Sequence, residues 1–151
     1  IMQVAIGQGS TLTTPLQNIY LVSAAVNGGT LMKPYLVDRV EDTYGNVVRQ
    51  QEPVSASTPL TDEEAKLLKQ YMRETVESGT ATALRTERYR AGGKTGSAEF
   101  KEGSRDSHAW FVGYAQREGK SIAVSIIVEG AGTGSAYAVP IARKMFDCYF
   151  E

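Results

Sequence analysis

Two reactive side chains are almost missing from this sequence: Cys148 is its one cysteine and His108 its one histidine. A single cysteine excludes an intrachain disulfide, and one cysteine with one histidine cannot build a zinc cluster. An excess of one charge is missing as well. Lys and Arg number 16 against 17 Asp and Glu, a net charge of −1, which leaves no electrostatic case for nucleic acid or an anionic membrane as partner. Arg85, Arg88 and Arg90 form a small basic cluster, read as a solvated face. No apolar run reaches the ~20 residues of a membrane-spanning helix. No signal peptide and no internal repeat are visible. There is no initiator methionine either. The chain opens at Ile1 inside structured-looking sequence, which points to a fragment or a processed product.

What is present is 151 residues of ordinary apolar and charged content, enough for one domain or a large part of one, with a real core. Thr14-Pro15-Leu16-Gln17 reads as a helix start, with Thr14 as cap, Pro15 at the first helical position and Gln17 closing a capping box. This helix should run to about Asn27 and stop at Gly28-Gly29. Its residues Leu16, Ile19, Tyr20, Leu21 and Val22 leave little polar face, as in a buried helix. Residues 35–50 suggest a hairpin turning at Tyr44-Gly45-Asn46. Pro53 to Pro59 reads as a surface loop. Thr61 with Glu64 makes a second capping box. The stripe Leu67, Leu68, Tyr71, Met72, Thr75 and Val76 then predicts a helix laid on a core.

Three strands are expected in the last third, over about 92–100, 108–116 and 121–129. The middle one, "HAWFVGYA", is apolar on both faces, as an interior strand should be. The short turn from Arg117 to Lys120 makes the last two antiparallel. A glycine-rich loop leads to a final helix with Pro140 near its start and a stripe of Ala142, Met145, Phe146 and Tyr149. Trp110 and Phe111 are expected in the core, Cys148 partly buried, and Gly7-Gln8-Gly9 in a tight turn.

The chemistry lies in "AGGKTGSAEF", residues 91–100. A phosphate loop would need glycine at position 88, which is Arg88, and a helix after Lys94; neither condition holds. The loop "GAGTGS" has only two of the three dinucleotide-binding glycines in place. No cofactor is implied. A strand offers a different use. Gly92, Gly93 and Gly96 would expose main chain to a ligand or a neighbouring backbone. Lys94 can hold an anionic group or keep a nearby proton acceptor poised, Thr95 can donate to a carboxylate, and the Ser97 N–H can stabilise an oxyanion. Together they suggest acyl transfer on a carboxylate-bearing substrate.

The order "AIGQGSTLTTPLQ", "NGGTLMKPYLV", "ESGTA", "GGKTGSAEF", "HAWFVGYA" and "PIARKMF" resembles the C-terminal part of the transpeptidase domain of class B penicillin-binding proteins, over nearly the whole chain. The resemblance implies an α+β fold, with an antiparallel sheet flanked by helices. The family's sheet has five strands, and this chain would supply the last three plus the C-terminal helix. It also implies that Lys94, Thr95 and Gly96 are the K-T-G motif that accompanies S-x-x-K and S-D-N in acyl-serine enzymes, with Ser97 giving an oxyanion N–H. The partners implied are a peptidoglycan stem peptide and β-lactams. The implied place is the extracytoplasmic face of the bacterial cytoplasmic membrane.

One departure matters. No serine in the chain has lysine three places on, and none has asparagine two places on. The nucleophile is therefore absent, and the chain alone is expected to be inactive. A truncated sheet would leave apolar surface to be covered by the upstream part, by another chain or by a second copy. The alternatives are a β-lactamase or β-lactam sensor of the same fold, or a non-catalytic binding or scaffold module.

Overall fold

The computed structural model describes residues 11–99 and 107–151. The reading of a tight turn at Gly7-Gln8-Gly9 lies outside them, as does the end of the first long strand at Phe100. Helix α1 spans Pro15–Val26 and starts at Thr14, whose hydroxyl accepts from the Gln17 N–H while the Gln17 side chain accepts from the Thr14 N–H. Two short antiparallel pairs follow. Strands β1 (Leu31–Met32) and β4 (Ser55–Ser57) pair, enclosing the hairpin of β2 (Arg39–Glu41) and β3 (Val47–Gln50). The segment read as a plain loop, 53–59, thus holds a strand. The hairpin turn is organised by Asp42, whose carboxylate accepts from the N–H groups of Tyr44 and Asn46 and from the Asn46 side chain.

Helix α2 spans Asp62–Glu77 and carries the second capping box, Thr61 with Glu64. A single 3-10 turn, Thr82–Leu84, leads into the main sheet. This sheet has strands β5 (Arg90–Glu99), β6 (Ser107–Arg117) and β7 (Lys120–Val128) in the order β5-β6-β7, all antiparallel. The last two are joined by a two-residue turn, Glu118-Gly119, in which both residues have positive φ, as tight hairpins of right-handed twist require. Helix α3, Gly134–Tyr149, ends the chain. It begins six residues before Pro140, which therefore lies inside it and removes one internal N–H bond.

Residues alternate across the sheet, and its two faces bury two clusters. Ala91, Ala109, Phe111, Ala115, Val124 and Ile126 pack with Ala138, Val139, Ala142 and Phe146 of α3. On the other face Tyr114 packs with Val22 of α1 and Met72 of α2. Phe111 and Phe146 are fully buried, as the interior position of β6 led one to expect for Phe111.

Several expected core residues are outside. Leu16 and Leu21 of α1 are 55% and 66% exposed, so α1 buries only Val22, Ala24 and Ala25 fully. Leu67 and Tyr71 of α2, and Met145 and Tyr149 of α3, are exposed too. An apolar stripe records that a face can be buried; it does not say that a partner lies against it. Cys148, expected to be partly buried, is exposed, because it lies off the Ala142–Phe146 line of α3 that meets the sheet. Trp110 is only half-buried.

Candidate active site

Strand β5 brings the K-T-G-S tetrad to the side of the sheet. Among the described residues it has a strand neighbour on one side only, β6, where Lys94, Thr95, Gly96 and Ser97 stand opposite Val112, Phe111, Trp110 and Ala109. The strand runs on to Glu99, which agrees with the rejection of a phosphate loop. Lys94 and Ser97 are exposed. The Lys94 ammonium folds onto its own strand and donates to the Thr95 carbonyl oxygen at 2.6 Å, which leaves two of its three donors uncommitted by that bond.

Thr95 differs from its neighbours. It is 9% exposed and is the one polar residue in the buried set among the described residues. Its Oγ1 lies 2.5 Å from Oγ1 of Thr80, a residue 15 positions earlier, in the turn after α2. Thr80 lies in the stretch "ESGTA", residues 77–81. Hydroxyl pairing between a turn and a distant strand leaves no periodicity in a sequence, so no sequence signal points to it.

The glycines correct an expectation. Gly92 and Gly93 are buried rather than presented to a ligand. A Cβ at Gly92 would sit 2.8 Å from the Tyr114 ring, and one at Gly93 would sit 2.4 Å from the Phe111 ring. Their missing side chains make room for aromatic rings of the sheet itself. Gly96 is half-buried beneath the start of α3. There a Cβ on Gly134 would lie 2.2 Å from the Trp110 carbonyl oxygen and 2.6 Å from that of Gly96. The entry of α3 is thus set down directly on the K-T-G backbone, which stiffens it from behind.

The surroundings divide into a locked end and an open end. At the start of β5 the Tyr89 hydroxyl donates to Asp147 at 2.9 Å, and Arg143 donates to the other carboxylate oxygen at 2.8 Å and to the carbonyls of Ala83 and Arg85. Burial, and then the bond to Asp147, push the Tyr89 hydroxyl up to about 12. Two residues of the basic cluster, Arg85 and Arg88, also bond into this end while staying exposed. Arg85 donates to the carbonyls of Val76 and Glu77 at the end of α2, and Arg88 pairs with Asp147 at 3.5 Å. Two surface hollows of about 450 and 350 Å³ also lie here. Glu87–Arg90 with Gln116–Ser121 line the larger, and Arg73, Val76 and Glu77 with Leu84–Glu87 and Tyr89–Ala91 line the other. Neither touches Lys94–Ser97. At the far end, His108 Nδ1 accepts from the Gly130 N–H, and Ser107 donates to the Gly132 carbonyl. These bonds fasten the glycine-rich loop to the start of β6.

The family model of the penicillin-binding protein transpeptidase domain matches residues 1–147. The chain belongs to this family. Stage V sporulation protein D of Bacillus subtilis is 35% identical over 93% of the chain, and the peptidoglycan D,D-transpeptidase MrdA of Haemophilus influenzae is 32% identical over 99%. Among solved structures, penicillin-binding protein A of Mycobacterium tuberculosis, as its imipenem acyl-enzyme complex, superposes with a TM-score of 0.85 over 99% of the chain at 26% identity. The α+β architecture expected from the sequence is that of the family. The chain spans only 23% and 26% of the two curated relatives and 33% of the solved chain. Among the described residues, no helix is long and apolar enough to cross a membrane.

Proposed function

We propose that this chain supplies the K-T-G wall of the acyl-binding cleft of a peptidoglycan D,D-transpeptidase, and that residues 1–151 are the C-terminal portion of that domain. The reading is carried by one observation: in a chain matched by the family over residues 1–147, Lys94 and Ser97 are exposed on a strand that, among the described residues, has a strand neighbour on one side only. The relatives named as peptidoglycan D,D-transpeptidases and the acyl-enzyme structure support it.

In this reading Lys94 attracts the substrate carboxylate and keeps a neighbouring proton acceptor poised, and the Thr95 hydroxyl donates to the carboxylate. The Ser97 N–H stabilises the oxyanion of the tetrahedral intermediate. A serine hydroxyl attacks the carbonyl carbon, the C–N bond of the D-Ala-D-Ala peptide or of a β-lactam ring breaks, and the departing nitrogen takes up the proton. That serine belongs to an S-x-x-K motif, which the chain does not contain. Apolar residues exposed at Leu12, Leu16 and Leu21 form the seat for the part of the domain that carries it. The reaction takes place outside the bacterial cytoplasmic membrane, where peptidoglycan lies.

Intact-mass spectrometry with benzylpenicillin tests this. The 151-residue chain should show no adduct, whereas the complete domain containing it should gain the mass of one penicillin. An adduct on the isolated chain would contradict the assignment, as would an unreactive complete domain.

A further inference from the structure

We infer that Thr80 is a positioning residue for carboxylate recognition: its hydroxyl donates to Thr95 Oγ1 and so turns the Thr95 proton toward the substrate. The inference rests on the proposed transpeptidase reading, in which Thr95 meets a carboxylate.

Two observations and one chemical fact carry it. The two hydroxyl oxygens lie 2.5 Å apart, and either can be the donor. Thr95 is 9% exposed, whereas Thr80 stands on the surface. A hydroxyl has a single proton. If Thr95 spends it on Thr80, nothing remains for a ligand; if Thr80 donates instead, the Thr95 proton is free. A carboxylate only accepts, so its arrival selects the second orientation. The resulting chain, Thr80 O–H to Thr95 O–H to carboxylate, strengthens each link in a partly buried setting.

The turn that presents Thr80 is built to hold it still. A Cβ on Gly79 would lie 2.9 Å from the Thr75 carbonyl oxygen, so this close reversal admits only glycine without a backbone shift. Ala81, on the other side, is fully buried, and its N–H donates to the same Thr75 carbonyl at 3.0 Å. Arg85 then closes the end of α2 by donating to the carbonyls of Val76 and Glu77. A side chain that only filled space would need neither this anchoring nor a hydroxyl.

The test is the acylation rate of the complete domain containing this chain, measured with benzylpenicillin and with its methyl ester, which lacks the charged carboxylate. Thr80→Val keeps the shape and removes the hydroxyl; Thr80→Ser keeps the hydroxyl. Thr80→Val should slow benzylpenicillin by up to roughly tenfold, the upper worth of one hydrogen bond between neutral hydroxyls. The ester rate should hold within about twofold, and Thr80→Ser should restore the wild-type ratio. Equal slowing of both compounds, no slowing, or failure of the serine variant to rescue would overturn the inference and leave the transpeptidase reading intact. A wild-type domain that reacts with neither compound would overturn both.

Discussion

The sheet with α3 and the excursion between residues 31 and 57 are built from similar residues and use them in opposite ways. In the sheet, Phe111, Phe146 and Val139 are sealed, and glycines are spent to fit rings against backbone. In the excursion, every residue of β2, β3 and β4 is exposed, although Val40, Val47 and Val48 are as apolar as their counterparts in β7. The difference teaches that strand formation and burial are separate events here. Local pairing and the Asp42 turn suffice for the hairpin, whereas the sheet needs helices on its faces. The tetrad at Lys94–Ser97 belongs to the sheet, so its geometry inherits that rigidity.

The comparison breaks most sharply at Phe146. Phe146→Ala should destabilise the chain by about 3–5 kcal/mol, the usual range for emptying a buried aromatic site, as measured by urea denaturation. Gly134→Ala comes next. Its new methyl group meets the backbone of Trp110 and Gly96, and overpacking of this kind costs roughly 1–3 kcal/mol. It should also displace the K-T-G strand, visible as shifts in the amide resonances of residues 94–97.

A smaller effect separates the locked end of β5 by pH. The Tyr89 hydroxyl titrates at about 12 in the fold against 10 in the ordinary case. Above pH 10 the unfolded chain therefore loses this proton first, and stability falls as pH rises toward 12. Thermal melting across this window should show the slope, and Tyr89→Phe should flatten it relative to wild type. At the bottom of the scale, Val48→Ser in the exposed hairpin should change stability by no more than about 0.5 kcal/mol. A larger loss would mean that the hairpin is packed after all and that the two regions are not distinct.

Much of this was legible because its causes are local. Both capping boxes, Thr14 with Gln17 and Thr61 with Glu64, occur as read. The three long strands lie within two residues of the expected bounds wherever they are described. The K-T-G segment was legible as a strand because its glycines and the apolar "HAWFVGYA" that follows fit a sheet. Long-range matters were not. The pairing of β1 with β4 joins Leu31 to Ser57 across an intervening hairpin, with serines of weak strand preference. Gly92 and Gly93 read as places where a ligand or a neighbouring backbone comes close, because the sequence does not reveal which aromatic rings lie over them. Leu16, Leu21 and Tyr71 looked like core because period alone cannot report the partner.

The central claim is that residues 94–97 form one wall of an acyl-binding cleft. Its most direct test is a crystal structure of the complete domain acylated by benzylpenicillin. The account predicts the acyl carbonyl oxygen within about 2.7–3.1 Å of the Ser97 nitrogen, with the penicillin carboxylate against Lys94 and Thr95. An acyl group lodged away from β5, with Lys94 and Ser97 still facing solvent, would contradict it.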